Sequence, residues 1–261
     1  MNHLIDFRLT EIEAENNIKI VYACESGSRA WGFPSANSDY DVRFLYIRPI
    51  EWYLSISEKR DVIEYPINEQ LDISGWDLKK ALYLLQKSNP TLLEWLGSPI
   101  VYIEKSSVAE KMRQYAKEHY SLSVCLYHYF SMARGNFGSH QQGDIVRLKK
   151  YFYVLRPILA MKWLEEGRGI VPTDFNIILN ELLLPAELKE EINKLLLRKL
   201  AGDELDKGEK NPVISNFIES EIERWERTEI RKAGIVSQFD ELDELFRESI
   251  KEVWELKDRW D

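Results

Sequence analysis

Up to about residue 105 the apolar positions come in short β-branched and aromatic runs separated by turn-forming residues. Ile18 to Cys24, Val42 to Ile47, Asp61 to Tyr65, Gln70 to Ser74 and Ile100 to Ile103 each have the length and composition of a strand. Between the last two, Leu78, Ala81, Leu82 and Leu85 recur at three and four positions, which predicts a helix from Asp77 to Lys87 with Asp77 at its N-cap. Beyond Ser106 the period changes to that of helices. Leu148 to Trp163 and Phe217 to Lys232 carry apolar residues at helical spacing. In Phe239 to Trp260 the residues Leu242, Leu245, Phe246, Ile250, Val253 and Trp254 form one stripe opposite carboxylates and lysines. The pattern therefore predicts an α+β chain, with a mixed-sheet domain over 1–105 and an all-helical domain over 106–261. Leu205 to Pro212, charged and broken by Gly208 and Pro212, is the expected flexible connection.

Composition narrows the class. A chain of 261 residues with 44% hydrophobic and 30% charged side chains can bury a self-sufficient core without disulfides or a structural metal. Its two cysteines, Cys24 and Cys125, lie in apolar surroundings far apart in sequence, and buried thiols are expected there rather than a bridge. No stretch approaches the roughly 18 to 20 apolar residues of a membrane helix, and Met1 to Glu15 alternates charges instead of building an apolar signal segment. The expected location is the cytoplasm, with no membrane partner. The 35 Lys and Arg against 44 Asp and Glu leave a net charge of −9, which argues against a surface coated by nucleic acid but not against a local basic groove.

The chemistry is concentrated in Glu25-Ser26-Gly27-Ser28-Arg29-Ala30-Trp31-Gly32-Phe33-Pro34-Ser35-Ala36-Asn37-Ser38-Asp39-Tyr40-Asp41-Val42-Arg43-Phe44. A strand runs into a small-residue turn at Gly27-Ser28, where glycine clears the way for backbone N–H groups to meet a phosphate. Asp39 and Asp41 then stand two apart at the entry of an apolar strand, so a period of two projects both carboxylates from one face. Two adjacent carboxylates repel unless a cation lies between them, and hard oxygen donors suit Mg²⁺ or Mn²⁺. An acidic turn that hydrogen-bonds its own backbone is the bland alternative for Asn37 to Asp41, and the upstream Gly-Ser turn weighs against it.

A Gly-Ser turn after a strand, followed by Asp-x-Asp on the next strand, resembles the signature of the DNA polymerase β superfamily of nucleotidyltransferases. The longer Gly27-Ser28-Arg29-Ala30-Trp31-Gly32 and Ser38-Asp39-Tyr40-Asp41-Val42-Arg43 are similar to one branch of it, the minimal nucleotidyltransferases associated with RNA repair. The resemblance continues through Leu71-Asp72-Ile73-Ser74-Gly75-Trp76-Asp77 and Lys149-Lys150-Tyr151-Phe152-Tyr153-Val154-Leu155-Arg156, and so covers most of the first 165 residues. It implies a third carboxylate on a later strand. Asp72 fits, since it points away from its apolar neighbours Leu71 and Ile73, whereas Asp77 is better used as a helix cap. Glu64 and Glu69 are weaker candidates.

The resemblance implies that Asp39, Asp41 and Asp72 are the catalytic residues and hold two divalent ions, Mg²⁺ or Mn²⁺. It implies that Gly27, Ser28 and Arg29 receive the phosphates of an NTP, ATP among them, and that the helical domain closes the nucleotide cleft. The acceptor it points to is an RNA 3′ end. Lys149, Tyr153 and Arg156 recur at helical spacing beside Lys150, so one helix face offers cations and a phenol to a nucleotide, or else lays its aliphatic stems on apolar surface. Arg43 is open to two readings, triphosphate neutralisation or pairing with Asp41, and Trp31 to base stacking or packing. His140, in the glycine-flanked loop Gly138 to Gly143, reads as a turn residue. The rival functions are transfer to a small molecule or protein, and nucleotide binding without turnover. Oligomeric state is not encoded in any motif.

Overall fold

The computed structural model of the chain describes residues 1–66, 70–138, 145–202, 208–228 and 239–255. Glu69, the loop from Ser139 to Gly143, and the outer parts of the three segments 205–212, 217–232 and 239–260 lie outside the described residues. In chain order come α1 (Asn2–Asn16), β1 (Lys19–Glu25), the single turn α2 (Gly27–Ala30), β2 (Tyr40–Ile47), the single turn α3 (Ile50–Tyr53), β3 (Val62–Glu64) and β4 (Leu71–Asp77). Then follow α4 (Leu78–Gln86), α5 (Pro90–Leu96), β5 (Val101–Glu104), α6 (Val108–His119), α7 (Leu122–Gly138), β6 (Ile145–Val146) and α8 (Lys149–Glu165). The last are α9 (Phe175–Glu181), α10 (Ala186–Leu200), β7 (Gly208–Glu209), α11 (Pro212–Glu226) and α12 (Asp240–Val253).

These elements pack as two compact units. The first holds residues 1–27, 39–120 and 235–261, the second 28–38 and 121–234. The division therefore runs elsewhere than at 105/106, because α6 and α12 pack with the sheet unit. α6 buries Val108, Ala109, Met112 and Ala116 and touches β1, α4 and α5; α12 buries Leu242, Leu245 and Ile250 and touches α4 and α6.

In the first unit a five-stranded sheet has the order β3-β4-β2-β1-β5. β2 and β4 are parallel and the other pairs antiparallel, so the sheet is mixed, as the α+β expectation requires. α1 lies on one face with Ile5, Leu9 and Ile12 against Ile20, Ala23, Val42, Phe44, Ile63 and Ile73. Each of those three helix side chains is fully buried and contributes roughly 2 kcal/mol by leaving water. Gly75 is needed here, since a Cβ on it would lie 2.2 Å from the Phe44 ring. The alternate positions Tyr22 and Trp76 meet α5 instead: Trp76 stacks on Trp95 at 3.9 Å and the Tyr22 hydroxyl donates to the Trp95 carbonyl at 2.6 Å. Asp77 caps α4 as expected, accepting from the Lys79 N–H at 2.9 Å, and Asn89 with Pro90 starts α5 the same way.

The second unit is built around α8, whose Tyr151, Phe152, Val154, Leu155, Ile158 and Leu159 are buried against α7, α9 and α11. The stretch 28–38 belongs to this unit. Phe33 stacks on Phe152 at 4.8 Å and meets Phe175 edge-on at 5.5 Å, while the Phe175 N–H donates to the Trp31 carbonyl at 3.0 Å. No helix among the described residues is long and apolar enough to cross a membrane. Cys24 and Cys125 are buried free thiols, and burial pushes each up to about 12, so both stay protonated.

Candidate active site

Parallel pairing of β2 and β4 sets Asp41 opposite Asp72 in register, so the two carboxylates leave neighbouring strands on the same face. Asp39 stands exposed, one residue before β2 begins. The strand entry is fixed from below by Glu25, a residue the sequence reading passed over. Its side chain is fully buried, accepts the Asp41 N–H at 2.7 Å and takes a short hydrogen bond from the Tyr102 hydroxyl. The Ser26 N–H donates to the Asp41 carbonyl at 2.8 Å, which ties the Gly-Ser turn to the same residue.

Gly27 shows why the turn needs glycine. Its φ is +58°, and a Cβ there would lie 2.0 Å from Asp41 Oδ2.

Between Asp41 and Asp72 lies Arg43. Its Nη2 donates to Asp41 Oδ1 at 3.1 Å and to Asp72 Oδ2 at 2.7 Å, while Nη1 donates to the carbonyls of Asp72 at 3.0 Å and Val42 at 3.1 Å. Of the two readings open for Arg43, the structure shows the pairing. Burial raises the Asp41 carboxyl above its ordinary range; Arg43 pulls it down, and Asp72 and Asp39 push it up again. Asp72 and Arg43 also line an open cavity of about 550 Å³ with Arg60, Glu64, Tyr65, Pro66 and Ser74.

The donor set fits a hard divalent ion: carboxylate oxygens from facing strands already share one cationic nitrogen within hydrogen-bond distance of both. The three aspartates are not drawn together as tightly as a filled metal centre. Among the described residues the group of His and carboxylate ligands lying within 4.8 Å of one another is Glu118, His119 and Glu241, all exposed.

The other expected contacts belong to the second unit. Arg29 closes the 28–38 stretch on itself, donating to the Ser38 carbonyl at 2.8 Å. Tyr153, 48% exposed, meets Trp31 edge-on at 5.9 Å, and the Arg156 guanidinium lies 4.7 Å from the Trp31 ring. Trp31 is thus packed between α8 side chains. Arg156 is only 2% exposed and reaches the Thr173 carbonyl at 3.4 Å, so it does not share the open aspect of Lys149, which is exposed, or Lys150, which is half-buried. Lys199 was not foreseen. Its Nζ lies 4.6 Å from the Phe33 ring and 5.5 Å from that of Phe152, and burial, with help from the Lys149 charge, lowers its ammonium to about 8. Nothing in the helical period of α10 marks it, because its partners are some 50 and 170 residues away in sequence.

Comparison with known proteins agrees with the motif. The model of the RNA repair pathway DNA polymerase beta family (RlaP) matches residues 1–248. The uncharacterized protein YcgL of Bacillus subtilis (strain 168) is 51% identical over 255 residues, spanning 97% of this chain and 98% of that protein. A crystal structure of a nucleotidyltransferase-like protein from Exiguobacterium sibiricum 255-15 aligns over 97% of this chain and 90% of that one, at 14% identity and a TM-score of 0.32, a likeness too slight to bear on the argument.

Proposed function

Since the chain belongs to the RNA repair pathway DNA polymerase beta family, we propose that it is a metal-dependent nucleotidyltransferase that moves an NMP from an NTP to the 3′ hydroxyl of an RNA in the cytoplasm. The observation that carries this reading is the registered pair Asp41 and Asp72, with the Gly27 turn pressed against Asp41. Asp39, Asp41 and Asp72 would hold Mg²⁺ or Mn²⁺, which when bound supplies positive charge to the phosphates and acidifies the attacking hydroxyl. The acceptor oxygen bonds to the α-phosphorus, the bond from that phosphorus to the bridging oxygen breaks, and pyrophosphate leaves. Asp72 takes the hydroxyl proton, a role its half-buried place beside the open cavity supports. The Ser28 hydroxyl and the backbone N–H groups of the Gly27-Ser28 turn would receive the departing phosphates. Lys149, Lys150 and Tyr153 would bind phosphate through their outward ends; Arg29 and Arg156 hold local structure, at Ser38 and Trp31. Two buried, unbridged thiols fit a reducing compartment.

The test is incubation with each labelled NTP, Mg²⁺ or Mn²⁺ and a short RNA with a free 3′ hydroxyl, beside Asp41→Asn and Asp72→Asn. RNA labelling and pyrophosphate release by the wild type alone are expected. Pyrophosphate without labelled RNA moves the acceptor to a small molecule or a protein. NTP binding with no pyrophosphate in any condition overturns the enzyme reading in favour of a nucleotide-binding regulator.

A further inference from the structure

We propose that Arg43 is a tethered counter-ion that holds Asp41 and Asp72 together in the metal-free protein and must surrender its Nη2 bonds when a divalent ion binds them, so that it sets how tightly the site takes the ion. The proposal rests on the metal-seat reading of these aspartates. Three features of the geometry carry it.

First, one nitrogen serves both carboxylates: Nη2 contacts Asp41 Oδ1 at 3.1 Å and Asp72 Oδ2 at 2.7 Å. That is the position a bridging cation would need. A metal ion at roughly 2.1 Å from either oxygen leaves no room for the nitrogen and repels its charge, so guanidinium and metal exclude one another there.

Second, Arg43 is anchored independently of those carboxylates. Its Nη1 donates to two main-chain carbonyls, those of Asp72 and Val42. Losing the Nη2 bonds therefore leaves the side chain attached at a pivot, and it can return when the metal departs.

Third, the released nitrogen has somewhere to go. Arg43 and Asp72 both line the open cavity of about 550 Å³, together with Glu64, Tyr65 and Ser74. With 16% of its side chain exposed, Arg43 is neither sealed in the core nor free in solvent.

The experiment measures Mn²⁺ binding by the loss of the free-ion electron paramagnetic resonance signal, with and without a non-hydrolysable NTP analogue. It compares full-length wild type, Arg43→Gln and Arg43→Lys, with melting of each in chelator and in Mn²⁺. Removing the competitor is expected to tighten Mn²⁺ binding about tenfold in Arg43→Gln, a size usual for coupled ligands. The same variant should melt lower than wild type in chelator and gain more from Mn²⁺. Arg43→Lys, which keeps the charge but cannot span two carbonyls and two carboxylates at once, should fold and also bind Mn²⁺ more tightly than wild type. Equal or weaker binding by both variants, with wild type binding the ion, overturns the counter-ion proposal and leaves the metal seat intact. Absence of Mn²⁺ binding in all three proteins under both conditions overturns the seat and the proposal together.

Discussion

Replacing Gly27 by alanine tests the site through a single carbon atom. The new Cβ would stand 2.0 Å from Asp41 Oδ2 and 2.9 Å from its Cγ, where ordinary contact begins at 3.4 Å, so carboxylate or turn must retreat by about 1.4 Å. The backbone there is left-handed, with φ of +58°, which costs alanine about 1 kcal/mol by itself. Relieving the overlap adds about 1 to 3 kcal/mol, as overpacking elsewhere does. The sum, about 2 to 4 kcal/mol, corresponds to a fall in Tm of about 5 to 10 °C in a chain this long. Gly167 supplies the control. Its φ is +68° and a Cβ there meets nothing within 4 Å, so Gly167→Ala carries the backbone term alone. Thermal and urea unfolding of both variants isolates the clash as the difference between them. Under the proposed function, NTP turnover should fall at least about 100-fold in Gly27→Ala, because Asp41 is displaced by more than the tolerance of a positioned group. If the two variants lose the same stability, or if Gly27→Ala turns over NTP as wild type does, the close approach of turn and carboxylate is wrong.

Burial raises the Asp77 carboxyl to about 6 from 3.8, so the folded protein binds this proton more strongly than the unfolded chain. Its contribution to stability is fully present below about pH 4 and is lost as pH rises through about 6. The stability of wild type minus that of Asp77→Asn should therefore fall by roughly 2 kcal/mol between pH 4.5 and 7.5 in urea titrations, and a flat difference would refute the assignment. Glu25→Ala removes the acceptor of the Asp41 N–H and of the Tyr102 hydroxyl and should cost about 3 kcal/mol, whereas Glu25→Gln, which can still accept from Asp41, should cost about half as much by equilibrium unfolding. Asp72→Asn should lower kcat about 10² to 10⁴-fold while NTP affinity, read by equilibrium dialysis, changes little; parallel loss of both would place Asp72 in nucleotide binding instead of proton transfer.

The strands and helices of the sheet unit are legible because their determinants are local. β-branched runs and Asp77 specify β1, β2 and α4 within a residue or two, whereas β4 outruns its expected end at Ser74 by three residues because Gly75, Trp76 and Asp77 continue pairing with Phe44, Leu45 and Tyr46. α1 has Ile5, Leu9 and Ile12 at helical spacing, but Leu4 and Phe7 are apolar and exposed and blur its stripe. The unit boundary is a different matter. The texture change at Ser106 marks where strands stop, not where packing changes partner. Nothing in the amphipathic stripe of α12 says whether it closes on α8 or, as it does, on α4 and α6. Tyr53 against Phe246 at 5.0 Å is a contact across nearly 200 residues, and periodicity carries no address.

In the site, the same split separates what chemistry dictates from what registration dictates. A glycine that must yield to a carboxylate and an aspartate beside apolar neighbours leave marks in the sequence, so Gly27, Asp41 and Asp72 stand out as candidates. Which carboxylate faces which depends on β2 and β4 being parallel with Asp41 opposite Asp72, and a shift of one residue would turn Asp72 into the apolar face and carry Leu71 and Ile73 out of it. Glu25 shows the limit most clearly. An acid at the end of an apolar strand reads as a solvated terminus, yet here it is fully buried, because its two oxygens meet the Asp41 N–H and the Tyr102 hydroxyl. Those partners come from β2 and β5, on either side of β1. Burial of a charge is decided by donors that only the assembled sheet supplies, so the residue that holds the strand entry in place is the one that local pattern is least able to find.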